Sequence, residues 1–241
     1  MPATFTPTKQ EAGAGPAADG ATHVKVCGIT EPREIDLLAA QAVDFVGLWY
    51  GVPGGPADLS LSDWRQLAAA AASTERLAPV MVTFLKDVDA LREALEGSHV
   101  HWVQLHGYQM AGVVRAVKEI GPEIRVLKVL HVRGGDCVEA PLIGSYERAG
   151  VDVFLFDAVA EDGRVGSTGE TLDPEVVASL AERISRPFLL AGGLSADNRG
   201  DYAQLTTHPR FLGIDVDTNA RGPDGKVSAE SVEAILGTWR A

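Results

Sequence analysis

One pattern constrains this chain more than any other. A short β-branched run followed by a longer amphipathic stretch recurs eight times between His23 and Leu236. The runs expected as strands are His23–Cys27, Val43–Trp49, Pro79–Phe84, Val100–Leu105, Ile124–Leu130, Val151–Phe156, Pro187–Leu190 and Phe211–Val216. The stretches expected as helices are Pro32–Gln41, Leu61–Ala72, Asp87–Leu95, Met110–Glu119, Val138–Arg148, Pro174–Ile184, Ala196–Leu205 and Ala229–Leu236. Thr30, Ser60, Asp173 and Ser195 stand at helix starts, where a side-chain oxygen can accept from the unpaired N–H groups of a first turn. Pro32 and Pro174 fall where a missing N–H costs nothing. Strict alternation implies a parallel sheet. Eight units in about 220 residues favour closure over an open doubly wound sheet. No G-x-G-x-x-G follows the first strand, which removes the usual dinucleotide-binding alternative. The fold class expected is α/β, a single (β/α)8 TIM barrel spanning residues 21–241.

The first twenty residues, Met1 to Gly20, hold almost no large apolar side chains and lack both the basic start and the apolar stretch of a secretory signal. They are expected to form a disordered leader, because they cannot bury enough surface to offset their ordering entropy. The 21 Lys and Arg against 33 Asp and Glu leave a net charge of −12. Nucleic acid is therefore not expected as a partner, since phosphate backbones are bound by clustered cations. No apolar run approaches a membrane span, so no membrane partner is expected either. Two cysteines, Cys27 and Cys137, are too few for a disulfide scaffold and point to a cytoplasmic, reducing compartment.

In such a barrel the chemistry sits at the carboxyl ends of the strands. Strand one ends Lys25-Val26-Cys27-Gly28, with Lys25 and Cys27 both facing inward by period-two alternation. Strand four ends at His106, strand five at His131 and strand six at Asp157. Strand seven runs into Gly192-Gly193, a bend whose N–H groups can point at an anion with help from a following helix. Barrels often hold phosphate after strands seven and eight. A phosphosugar anchored there has Asp157 on one side and Cys27 on the other, a geometry for one acid and one base. Beside Lys25, the Cys27 thiol is expected to be activated. The alternatives are bland: Cys27 as a small buried apolar residue, Asp157 as a cap, Gly192-Gly193 as a tight turn. Trp49 and Trp102 are either stacking platforms or core. His131 is either a cation for an anionic group or a backbone-bonded ring. Cys137, at an expected helix start, reads as inert packing.

Several motifs then occur in order: Lys25-Val26-Cys27-Gly28-Ile29-Thr30, Val103-Gln104-Leu105-His106-Gly107, Phe156-Asp157-Ala158, Gly166-Ser167-Thr168-Gly169, Leu190-Ala191-Gly192-Gly193-Leu194 with Asn198, and Gly213-Ile214-Asp215-Val216. From about His23 onward the chain resembles the phosphoribosylanthranilate isomerase family. The resemblance implies a TIM barrel and an Amadori aldose–ketose rearrangement in tryptophan synthesis, with no metal or organic cofactor. It implies Asp157 as the general acid that protonates the ribose ring oxygen, and Cys27 as the general base that takes the C2′ proton. It also assigns Gly192, Gly193 and the start of the strand-eight loop to the substrate phosphate, Gly169 to the loop after strand six, and Asp215 to the substrate amine. Lys25, His106 and Asn219 complete the expected binding set. The partner expected is a small molecule, a phosphorylated N-glycoside of an aromatic amine.

Two departures stand out. Where the family carries a Ser-Pro-Arg segment that grips the anthranilate carboxylate, this chain reads Gly54-Gly55-Pro56-Ala57-Asp58-Leu59-Ser60. Where it carries Asp-Val-Ser-Ser-Gly, this chain reads Asp215-Val216-Asp217-Thr218-Asn219. Asn219 can adopt the glycine's left-handed conformation, but Asp217 brings negative charge toward a phosphate, and Arg221 is a candidate to compensate. Three readings follow: an isomerase of altered substrate range, an orthodox tryptophan-pathway isomerase, and, furthest from the residues, a non-catalytic barrel that binds without turning over.

Overall fold

The structure is a computed structural model that describes residues 21–74, 76–159 and 171–241. The expected leader, Met1 to Gly20, and the candidate Gly169 lie outside the described residues.

Eight parallel strands close on themselves: β1 (His23–Val26), β2 (Phe45–Trp49), β3 (Ala78–Thr83), β4 (Trp102–Leu105), β5 (Arg125–Arg133), β6 (Val153–Ala158), β7 (Phe188–Leu190) and β8 (Phe211–Val216). β1 pairs with both β2 and β8, and β4 pairs with β5, so the sheet has no free edge along the ring. The helices between them are α1 (Pro32–Ala40), α2 (Leu61–Ser73), α3 (Val88–Leu95), α4 (Ala111–Lys118), α5 (Ile143–Ala149), α6 (Pro174–Ala181), α7 (Ala203–Thr206) and α8 (Ala229–Trp239). This is the expected (β/α)8 TIM barrel.

Period-two alternation sorts each strand into two cores. Val153 and Leu155 of β6 point into the barrel with Leu127 and Val129 of β5. Phe154, Phe156, Val126 and Leu130 point outward, under the helices. The same alternation carries Asp157, two residues beyond Leu155, into the barrel mouth, and carries Lys25 and Cys27 to the inside of β1. Trp102 lies in the barrel interior with its ring 5.2 Å from Phe45, so it is packing rather than a stacking platform.

Local signals explain most helix starts. The Ser60 hydroxyl accepts from the Asp63 N–H at 3.1 Å, and Asp173 accepts from Glu175 and Val176. Other expected starts are corrected. Thr30 is not the cap of α1; Glu31 is, through a capping box in which Glu34 receives the Thr30 and Glu31 N–H groups. Glu34 wins because its buried carboxylate also accepts from Val227, tying the loops after β1 and β8 together. No helix begins at Ala196 either. Ser195 closes a turn onto the Asp197 N–H, and helical structure starts only with a 3-10 turn at Arg199–Tyr202 leading into α7. Cys137 likewise sits not at a helix start but on a short return strand, Asp136–Cys137, antiparallel to the end of β5. The helix that follows is delayed to Ile143 by a 3-10 turn at Ala140–Leu142.

Among the described residues no helix is long and apolar enough to cross a membrane.

Candidate active site

The strand ends enclose an open-mouthed cavity. Cys27, Trp49, His106, Asp157, Gly192, Gly193, Asp215 and Asn219 all line it. Of the residues expected from sequence, Lys25 is the one described that does not. It lies behind the wall, 1% exposed, its ammonium donating to Asp215 Oδ2 at 2.7 Å. The pairing follows from register, since Lys25 and Asp215 are direct neighbours on β1 and β8. Burial alone would depress this ammonium, but the Asp215 and Cys27 charges outweigh it and hold Lys25 above its ordinary range. Burial, helped by the neighbouring Asp157 carboxylate, pushes the Asp215 carboxyl up against the pull of Lys25. Asp215 Oδ1 is buried without a partner, so the cavity wall presents an acceptor fit for an N–H.

The Cys27 thiol does not behave as its neighbour suggested. Lys25 does pull it down, yet burial dominates and pushes the thiol up to about 12. The resting group is a neutral thiol, bonded by the Trp49 indole N–H at 3.1 Å. Space for it comes from Gly47 on β2, where a Cβ would lie 2.6 Å from Sγ and 2.9 Å from Lys25 Nζ.

Across the cavity, His106 Nε2 stands 3.2 Å from Asp157 Oδ2, close but not aligned as a hydrogen bond. Gln104, two residues earlier on the same face of β4, places its amide nitrogen 2.9 Å from His106 Nδ1. With Gln104 donating, neutral His106 carries its proton on Nε2, toward Asp157. That N–H can orient the Asp157 carboxyl, which must carry its own proton to act as an acid. Sequence reasoning did not assign Gln104 a role, although its two-residue spacing from His106 was available.

His131 is not a free cation for a substrate anion. It is 0% exposed, and its Nδ1 lies 2.6 Å from Glu139 Oε1, while Glu139 also accepts the His131 backbone N–H. Burial drives its pKa down despite that carboxylate.

The anion bend survives the loss of its helix. Gly192 and Gly193 both have positive φ, 85° and 61°, which favours glycine. Asn198 and Asn219 side chains donate to the Gly193 carbonyl, which fixes the loop after β7 against that after β8. Thr218 and Asn219 open a 3-10 turn, so their N–H groups have no partner within it. Asp217 is bridged by Arg221, Nε to Oδ1 at 2.7 Å, while Nη2 of the same arginine donates to the Cys27 and Gly28 carbonyls. Arg221 therefore compensates Asp217 rather than reaching toward the cavity as a free cation. At the other end Ala57 is buried beside Trp49, Val52 and Cys27 in one cluster. The exposed Asp58 turns back, its Oδ1 accepting the Val52 N–H at 3.0 Å. No group of His, Cys, Asp and Glu among the described residues is arranged to hold a metal.

Residues 24–235 match the family model described as N-(5'phosphoribosyl)anthranilate (PRA) isomerase. A protein named N-(5'-phosphoribosyl)anthranilate isomerase from Synechococcus sp. is 32% identical over 229 residues, covering 90% of each chain. The crystal structure of the phosphoribosyl anthranilate isomerase from Thermus thermophilus superposes with a TM-score of 0.71 at 22% identity, covering 90% of this chain and 98% of that one. A similar barrel, solved in complex with reduced 1-(o-carboxyphenylamino)-1-deoxyribulose 5-phosphate, gives 0.66 at 21% identity over 90% and 97%.

Proposed function

The chain belongs to the N-(5'-phosphoribosyl)anthranilate isomerase family and is an isomerase, and on that premise we propose that it rearranges a phosphoribosylated aromatic amine by Cys27/Asp157 acid–base chemistry. The observation that carries the proposal is the placement of one thiol and one carboxylate on the wall of a single cavity that ends in an anion-ready bend. Asp157, entering the step as the carboxylic acid, protonates the ribose ring oxygen. The C1′–O bond breaks and a C1′=N iminium forms, with Asp215 Oδ1 accepting the amine N–H. Cys27 acts from its minor thiolate form, its own proton released to solvent, and takes the C2′ proton to give an enolamine and a thiol. Return of a proton to C1′ and loss of the 2′-hydroxyl proton give the ketone, so atoms and charge balance with no oxidant. The resting thiol is neutral, so only its thiolate fraction serves as the base, and the nearby iminium cation both acidifies C2′ and favours that thiolate.

The phosphate end is met by N–H groups of Gly192, Gly193, Thr218 and Asn219, with Asp217 nearby as a like charge. Inorganic phosphate is expected to inhibit competitively. Asp217→Ser is expected to tighten that inhibition about ten-fold by removing the carboxylate and freeing Arg221. An unchanged inhibition constant would place phosphate elsewhere.

The aromatic end distinguishes two readings. Ala57 is buried and Asp58 is turned back to Val52, so this segment offers no cation for an anthranilate carboxylate, which supports an altered substrate range. The match along nearly the whole barrel favours the orthodox tryptophan-pathway substrate. Phosphoribosylanthranilate, generated in situ and followed by loss of its fluorescence, decides between them. The altered-range reading expects a raised KM with kcat less affected, since a carboxylate remote from the reacting carbons is gripped equally before and at the transition state. Ala57→Arg with Asp58→Asn, which keeps the acceptor for Val52, should lower KM about ten-fold or more, the value of a charge-assisted hydrogen bond. Efficient turnover by the unaltered protein returns it to the orthodox reaction.

A further inference from the structure

The Cys27 side chain is nearly enclosed, at 5% exposure, and an anion formed there must be met by donors already in place. Two cations lie close, and both are engaged. Lys25 donates to Asp215 at 2.7 Å, and its ammonium also bears on Cys27 by charge and a side-chain hydrogen bond. Arg221 is spread over Asp217 and the carbonyls of Cys27, Gly28 and Gly225. The uncharged donor to the sulfur is Trp49, whose Nε1–H reaches Sγ at 3.1 Å.

That indole is well held. Trp49 ends β2 with its side chain packed beside Val52 and Ala57, and its carbonyl accepts the Leu59 N–H at 3.1 Å. An indole N–H only donates, so it cannot stabilise a proton on sulfur by accepting one. Its bond to a thiolate is stronger than its bond to a thiol, as charge-assisted bonds are. The contact therefore acts in one direction, toward the ionised base.

We infer that Trp49 is a positioning residue for Cys27: its indole N–H fixes the sulfur in the cavity wall and supports the thiolate that takes the C2′ proton. The inference rests on the base role proposed above and adds the residue through which that role is tuned. It assigns Trp49 a polar function, distinct from offering a ring face to the substrate.

The test uses Trp49→Phe in a Cys137→Ser background, so that iodoacetamide reports on Cys27 alone. Removal of the donor should lower the thiolate population at a given pH about ten-fold. A less stabilised thiolate is the better nucleophile, so the alkylation rate at pH 8–9 should fall by less, about three-fold. Turnover should lose about ten-fold in kcat with little change in KM, and its dependence on the base should move to higher pH. Should Trp49→Phe fail to fold, benzothienylalanine at position 49 keeps the ring shape and replaces N–H by sulfur. Unchanged alkylation and unchanged kcat in a folded variant overturn the inference. Alkylation needs no substrate, so it still decides the matter if the unaltered protein fails to rearrange phosphoribosylanthranilate and the functional reading falls.

Discussion

Asp157→Asn is expected to lower kcat by about 10²–10⁴-fold, the usual contribution of one general acid, while leaving the fold intact. The amide keeps the size of the carboxyl beside His106 but has no acidic proton to give to the ring oxygen. Cys27→Ala should lose a similar factor for the second proton transfer. Both losses should fall on kcat rather than KM, since neither group grips the substrate more tightly than its neighbours do. Neither change removes much burial, so thermal midpoints should stay near that of the unaltered protein. Near-normal turnover by either folded variant on its true substrate would end the role assignment. Loss of both kcat and thermal midpoint together would make the residue structural instead.

The second large effect is on stability, at the Lys25–Asp215 pair. Lys25→Met or Asp215→Leu leaves one buried partner without its counter-charge and should cost about 3–5 kcal/mol. For a barrel of this size that corresponds to a fall of roughly 6–20 °C in Tm. The double change Lys25→Met with Asp215→Leu removes both charges and fills the space with apolar atoms. It should be markedly more stable than the sum of the single losses, because desolvation of two ions is relieved at once. Urea titrations of the four proteins give the coupling directly. Additive losses would mean that the pair at 2.7 Å contributes nothing as a pair.

Much of the site was legible before any coordinates. Alternation along β1 put Lys25 and Cys27 on one face, and Asp157 was placed at the end of the sixth strand; the structure turns it inward. Ser60 and Asp173 announced α2 and α6. The failures have common physical sources. Thr30 lost its cap to Glu34, because a carboxylate that also reaches Val227 gains a second anchor from a segment 193 residues away. Ser195 offered the chemistry of a helix start, but its hydroxyl serves a turn that holds the anion bend.

The sequence by itself determined the eightfold alternation, the inward set of residues on each strand and the identity of the acid and base candidates. These depend on the backbone's own periods of 2.0 and 3.6, which are local and survive without knowledge of neighbours. Only the tertiary structure decided who meets whom. Lys25 spends its charge on Asp215 and Arg221 on Asp217, while burial disfavours the charged form of His131 beside Glu139, so none of the three is left as a free cation for substrate. It also reversed the expected sign at Cys27. A nearby lysine lowers a thiol, but enclosure raises it further, and enclosure is a property of all the segments packed around the sulfur. Partners are set by strand register and by burial, and both join residues that the chain keeps far apart.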